Sequence, residues 1–300
     1  MTKTNKPAPK PLTTQIVVTP TERLQSLLVG TLTGGQGKTL IVQLLAYAAY
    51  LQNYEFKFVS VDSVDDGSSG TTSTSKLARV LPGVHQIAIA ASLSDVLKTS
   101  DAAITHWDGL GEFLADGNCL VDLGANVPPA IFQWAAVSEQ GHLFQPMTLI
   151  IPVTRQTQSA ADAIAVMDEA TELRQHFPIQ RIVVAYNDVH GIVGDDTGPD
   201  FVELRKRKQA GLIDECRIDR CPSGLWAQIE TSQKTFSKLA AMTDAEFQSA
   251  FNLGRFPAGR GSMIFKRWLN EQVRRFAAIG LPLANDADAE IPAATSGFDS

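Results

Sequence analysis

Cysteine is scarce in this chain: Cys119, Cys216 and Cys221 are the only three in 300 residues. Three thiols so unevenly spaced build no disulfide framework, and a reducing, cytoplasmic compartment is the natural expectation. Cys216 and Cys221 have no histidine nearby, which removes a zinc site of ordinary ligand spacing. Histidine is also sparse, five in all, and His106, His142 and His190 stand apart with no triad pattern. There is no excess of positive charge either. The 26 Lys+Arg against 32 Asp+Glu leave a formal net charge of -6, so the whole molecule is not a basic nucleic-acid binder by composition. No apolar run reaches the ~18 residues of a membrane span. Residues 1–14 (MTKTNKPAPKPLTT) are polar and Pro-rich, without the apolar segment of a secretory signal. No internal repeat is evident.

What the chain does have is apolar bulk, 44% against 19% charged residues, which is ample for one large core. From residue 26 onward, short apolar runs alternate with longer helix-period segments. Strands are expected at 26–32, 56–62, 84–89, 119–124, 147–153, 181–187 and, weakly, 215–219. Helices are expected between them at 39–52, 93–115, 128–140, 157–176 and 199–211. Near-continuous apolar strands joined by helices predict an α/β fold: a mostly parallel sheet covered by helices on both faces. From about residue 223 the pattern becomes helical alone (225–232, 243–252, 262–279), a C-terminal helical extension of the same domain. The expected domain spans 15–283, between disordered tails at 1–14 and 284–300.

One stretch organises the rest. Leu27, Leu28 and Val29 end a strand, and Gly34, Gly35 and Gly37 make a tight turn. Lys38 and Thr39 then open a helix. Strand, glycine loop, Lys-Thr and helix describe a phosphate-binding loop of the P-loop NTPase fold. Glycines let main-chain N–H groups face phosphate oxygens, and the helix N-terminus adds its dipole. Lys38 would reach the β- and γ-phosphates and Thr39 would hold Mg²⁺. Gln36 and Leu40 complete the expected nucleotide contacts. The full G-x-x-x-x-G-K-[ST] pattern has glycine at its first position, where this chain has Leu32.

Other candidates stand at strand ends, where ligands bind in parallel sheets. Asp122 closes the run CLVD, in keeping with a catalytic carboxylate that holds Mg²⁺; a helix cap is the plainer alternative. Asp62 closes FVSVD and opens a Ser/Gly/Thr-rich loop through Ser75 that carries Asp65 and Asp66. Asp62 is assigned to Mg²⁺ and catalysis, and the loop to nucleotide-dependent closure. Asn187 ends RIVVAYN and suits an adenine edge, although an Asx turn before Asp188 and Gly191 explains it nearly as well. Pro222 is a weaker candidate for packing against the base. No Asn-Lys-x-Asp guanine signature follows Asn187.

In these features the chain resembles the deviant-Walker ATPases of the ParA/MinD family. The family's loop K-G-G-x-G-K-[ST] is matched by Thr33-Gly34-Gly35-Gln36-Gly37-Lys38-Thr39. Asp62, Asp122 and Asn187 fall where the family has its first Asp of Asp-x-Asp, its Walker B Asp and its adenine-reading Asn. The likeness spans about residues 26–222. It implies Mg-ATP binding, slow hydrolysis, homodimerisation, a partner protein and a nucleotide-dependent switch, in plasmid or DNA partitioning or in conjugation. Two positions depart from the family. The signature Lys that reaches across the dimer is Thr33, and the second Asp, which positions the attacking water, is Val64.

Two rival readings use the same scaffold. A P-loop kinase or small-molecule synthetase would need an acceptor pocket near 63–75 and 154–158. A hydrolysis-deficient scaffold would follow from Thr33 and Val64, with Arg155 a candidate replacement cation. Arg205-Lys206-Arg207-Lys208 spreads around a helix as a solvated face, with nonspecific DNA as a further candidate partner. The amphipathic segment 262–279 is expected to pack in the core rather than on a membrane surface.

Overall fold

The near-continuous apolar runs become the strands of one parallel sheet. The computed structural model describes residues 25–64, 75–90, 102–194 and 197–281. In chain order these form β1 (Ser26–Val29), α1 (Lys38–Leu51), β2 (Lys57–Val64), β3 (His85–Ala90), α2 (Ala102–Asp116), β4 (Cys119–Leu123), α3 (Val127–Ser138), β5 (Met147–Val153), α4 (Thr157–Glu172), β6 (Ile179–Asn187), α5 (Pro199–Gln209) and β7 (Asp214–Ile218). Four helices follow: α6 (Trp226–Thr231), α7 (Phe236–Ala241), α8 (Asp244–Phe251) and α9 (Arg255–Ala278).

The sheet has seven strands in the order β3-β2-β4-β1-β5-β6-β7. Every pairing is parallel. Register aligns the carboxyl ends: Val29 lies opposite Asp122 on one side and Ile150 on the other. The chain lays β2, β3 and β4 to one side of β1, then crosses to build β5, β6 and β7 on the other. In such sheets that reversal opens a crevice at the carboxyl ends of the central strands.

The alternation of the pleat splits the core in two. Leu28, Val121, Leu149 and Ile151 belong to one buried cluster, with Trp107, Phe132, Trp134 and Phe201 from the helices on that face and Phe177 from the α4–β6 turn. Leu27, Val29, Leu120 and Ile150 belong to the other, with Ile41, Leu45, Phe236, Phe265, Trp268 and Phe276. Each such large side chain contributes about 1.5–3 kcal/mol when fully buried. The C-terminal helices therefore cover one face of the same sheet, and the apolar stripe of α9 faces the core. No helix among the described residues is long and apolar enough to cross a membrane.

Boundaries differ from expectation where local sequence misleads. Strand β1 stops at Val29, not residue 32; only the Gly30 N–H still bonds the neighbouring strand, at Ile150 O (3.1 Å). Helix α9 starts at Arg255, seven residues before the expected position, with Pro257 in its first turn, where a missing N–H costs nothing. Helix α7 was not anticipated; Thr235 caps it by accepting the Lys238 N–H. Both terminal tails, the loop residues 65–74 with Asp65 and Asp66, and 93–101 of the expected second helix lie outside the described residues.

Candidate functional site

Between β1 and α1 the chain turns on two glycines in the left-handed region, Gly35 (φ 76°) and Gly37 (φ 86°). A Cβ on Gly37 would lie 2.1 Å from Asn187 Nδ2, so no side chain fits there. Leu32, at the position where the full pattern has glycine, sends its side chain against the first core cluster. Its carbonyl accepts the Asn126 N–H at 3.1 Å. The first intrahelical bond of α1 runs from Ile41 N to Gly37 O. Among the described residues, the main-chain N–H groups of residues 34–39 donate to no acceptor. Six orphan donors at a helix N-terminus form a ready anion cradle.

Lys38 stands inside this cradle, 9% exposed, and its Nζ donates to Thr33 O at 3.1 Å. Burial holds its pKa below the ordinary lysine value, against the pull of Asp122 and Asp62. The Thr39 hydroxyl donates to Asp122 Oδ2 at 2.8 Å. Burial pushes the Asp122 carboxyl up to about 6, opposed by the Thr39 hydrogen bond and the Lys38 charge. Asp62 reaches the same spot from β2. A Cβ on Gly124 would lie 2.7 Å from Asp62 Oδ1, so glycine after β4 permits that approach. Thr39, Asp122 and Asp62 thus offer hard oxygen donors, the set that suits Mg²⁺ held between one or two carboxylates, phosphates and water. No cluster of three or more His, Cys, Asp or Glu side chains fit for a metal occurs among the described residues. A metal here would need phosphate oxygens to complete its shell.

Asn187 forms both contacts that matter locally. Its Nδ2 donates to Gln36 O at 3.0 Å, and its Oδ1 accepts the Val189 N–H at 3.2 Å, closing an Asx turn. It is 1% exposed and braces the loop from below. One amide hydrogen and one Oδ1 lone pair remain unused. Pro222 lies exposed in the loop after β7. Asp188, 5% exposed, is bound by Arg217 through two 3.0 Å hydrogen bonds and by the Val193 N–H.

Several contacts here had no signal in the sequence. Gln36 is buried, accepting the Thr154 hydroxyl (2.6 Å) and donating to Gln156 Oε1 (2.9 Å). His190 Nε2 donates to Gly35 O at 3.1 Å. The Thr33 hydroxyl donates to Asp162 Oδ2 on α4. Lys76 lies close enough for both Lys38 and Asp122 to feel its charge. Arg155 packs beside Gly191: its Nη1 is 3.8 Å from where a Cβ would stand. The side chain of Val64 lies outside the described residues.

An orphan-amide loop after the central strand, Lys-Thr opening the next helix and an Asp closing the adjacent strand define a P-loop NTPase fold. The chain matches no protein-family model and no curated protein sequence. Among solved structures it is similar to the MinD cell division protein of Aquifex aeolicus, with 16% identity over 87% of this chain and 100% of that one, at TM-score 0.41. It is similar to the MinC:MinD complex of the same organism (17%, 87% and 99%, TM-score 0.43). Apo McdA from Cyanothece matches at 14% identity, 78% and 98% coverage and TM-score 0.40. These likenesses are distant.

Proposed function

We propose that this protein binds Mg·ATP and works as a nucleotide-dependent switch with slow intrinsic hydrolysis. The observation that carries the reading is the row of unpartnered N–H groups at residues 34–39 around a buried Lys38. A helix N-terminus leaves such donors to water or to a ligand, and its dipole favours an anion there. Phosphate oxygens answer all of them at once.

On binding, Lys38 Nζ leaves Thr33 O for the β- and γ-phosphates. Thr39 and Asp122 would hold Mg²⁺, with Asp62 beside them, and the ion would supply charge that offsets the phosphates. The remaining amide hydrogen of Asn187 points the base, and Pro222 borders it. Hydrolysis is slow because the residue in the signature-lysine position is a hydroxyl already engaged by Asp162. Lys76 and Arg155 are the chain's own cations for the developing charge. A homodimer and a partner protein that reads the nucleotide state fit this reading, with plasmid partition or conjugation as the process, nonspecific DNA as a further partner and the cytoplasm as the compartment. One globular domain over 15–283 performs it.

Isothermal titration of the purified chain with ATP, with and without Mg²⁺ and with GTP as competitor, tests it. Binding that requires Mg²⁺ and prefers ATP is expected. No binding, or GTP bound equally well, refutes the nucleotide or the base assignment respectively.

A further inference from the structure

Two pins of the phosphate loop come from the β5–α4 segment, one from the connection itself and one from the second turn of α4. On its second limb, Gln36 is held by Thr154 and Gln156. On its first limb, the Thr33 hydroxyl donates to Asp162 Oδ2. Beside these pins, Gly35 O accepts His190 Nε2 at 3.1 Å and Gln36 O accepts Asn187 Nδ2 at 3.0 Å, while a Cβ on Gly34 or Gly35 would meet nothing within 4 Å. Glycines so free lose much backbone entropy when ordered, so the pins decide whether the cradle exists before a ligand arrives.

Asp162 is an unusual pin. It is 5% exposed and has no cation among the described residues; its other oxygen accepts only Gln158 Nε2 at 2.6 Å. A buried carboxylate served by neutral donors alone is a poor source of stability. What it does hold is Thr33, whose carbonyl in turn holds Lys38 Nζ. We infer that Asp162 is a positioning residue which, through Thr33, fixes the first limb of the phosphate loop in the empty site within a single chain. Position 33 is then an anchor inside the molecule and not an arm extended to a second one. The loop's functional meaning rests on the nucleotide reading above; its order in the empty protein does not.

The test is nitrogen-15 relaxation at Gly34 and Gly35 in the ligand-free full chain. Wild type, Asp162→Ala, Asp162→Asn, Thr33→Val and Thr33→Ser are compared, with far-UV circular dichroism to confirm folding. Order parameters near ~0.85 are expected for wild type and Thr33→Ser, falling below ~0.6 in Asp162→Ala and Thr33→Val, with Asp162→Asn between. The double variant Asp162→Ala/Thr33→Val should be no worse than either single, since both remove one link. Thr33→Val changes a half-buried side chain by one atom and keeps the test alive should Asp162→Ala fail to fold. Unchanged order parameters in Thr33→Val overturn the inference whatever the protein binds. ATP affinity, measured on the same samples, should drop about tenfold or more in the variants that loosen the loop. Failure of wild type itself to bind ATP would count against the nucleotide reading alone.

Discussion

Replacing Asp122 with Asn should stabilise the ligand-free protein at alkaline pH while removing its response to Mg-nucleotide. The carboxyl is 7% exposed, and burial raises its pKa from 3.8 to about 6. A raised acid pKa means that the folded state holds its proton more tightly than the unfolded chain does, so stability falls as pH rises. The penalty begins above 3.8, the unfolded value, and is complete above about 6. Two pKa units correspond to about 3 kcal/mol at pH 8, and roughly half of that at pH 5. Asn keeps an oxygen for the Thr39 hydroxyl but carries no charge. For a domain of this size about 3 kcal/mol is worth about 6 °C or more in Tm. Thermal unfolding of both proteins at pH 8 and pH 5, without ligand, reads the difference. A gain of several degrees at pH 8 that shrinks towards half at pH 5 is expected, along with loss of the Tm rise on adding Mg²⁺ and ADP. A lower Tm for the variant at pH 8, or a difference indifferent to pH, refutes the reasoning.

Gly37→Ala forces a Cβ into a left-handed residue 2.1 Å from Asn187 Nδ2; ATP affinity should fall at least tenfold by calorimetry, and wild-type affinity would contradict the loop geometry. Arg217→Ala strips the two 3.0 Å hydrogen bonds from buried Asp188 and should cost about 2 kcal/mol in urea unfolding, less than a fully buried pair because Arg217 is partly exposed. Thr33→Lys delivers a cation next to the Asp162 carboxylate of its own chain, so ATP turnover should stay near wild type in the single variant and rise only in Thr33→Lys/Asp162→Asn; equal rates in the two would show that Asp162 does not capture the lysine.

How much of this was legible in the sequence follows from range. Strand β5 runs over the expected 147–153 because a seven-residue apolar stretch buried on both faces has one reading. Lys38 and Thr39 were legible because loop and helix are consecutive. Asp122 was legible because an acidic residue ending a buried strand is conspicuous, and register sets it beside β1. The braces were not legible. Thr33 and Asp162 are 129 residues apart, and Gln36 and Thr154 are 118 apart. No local pattern joins them; only the β1–β5 pairing does. Asn187 shows the mixed case, since its strand-end position and its Asx turn were both readable, but its grip on Gln36 emerges only from the fold. Helix α7, six residues long, is too short to show a period, and the glycines and proline of 254–261 hid the start of α9.

The central claim is that residues 33–39 form a nucleotide phosphate cradle with Lys38 as its cation. Its most direct test is calorimetric titration of Mg·ATP into wild type and Lys38→Ala, with unfolding curves to show that both are folded. Removing the buried ammonium leaves the loop's amides but no cation on the loop itself for the phosphates. Measurable binding by wild type and none by the folded variant is expected; equal affinity in the two would contradict the phosphate-cradle assignment.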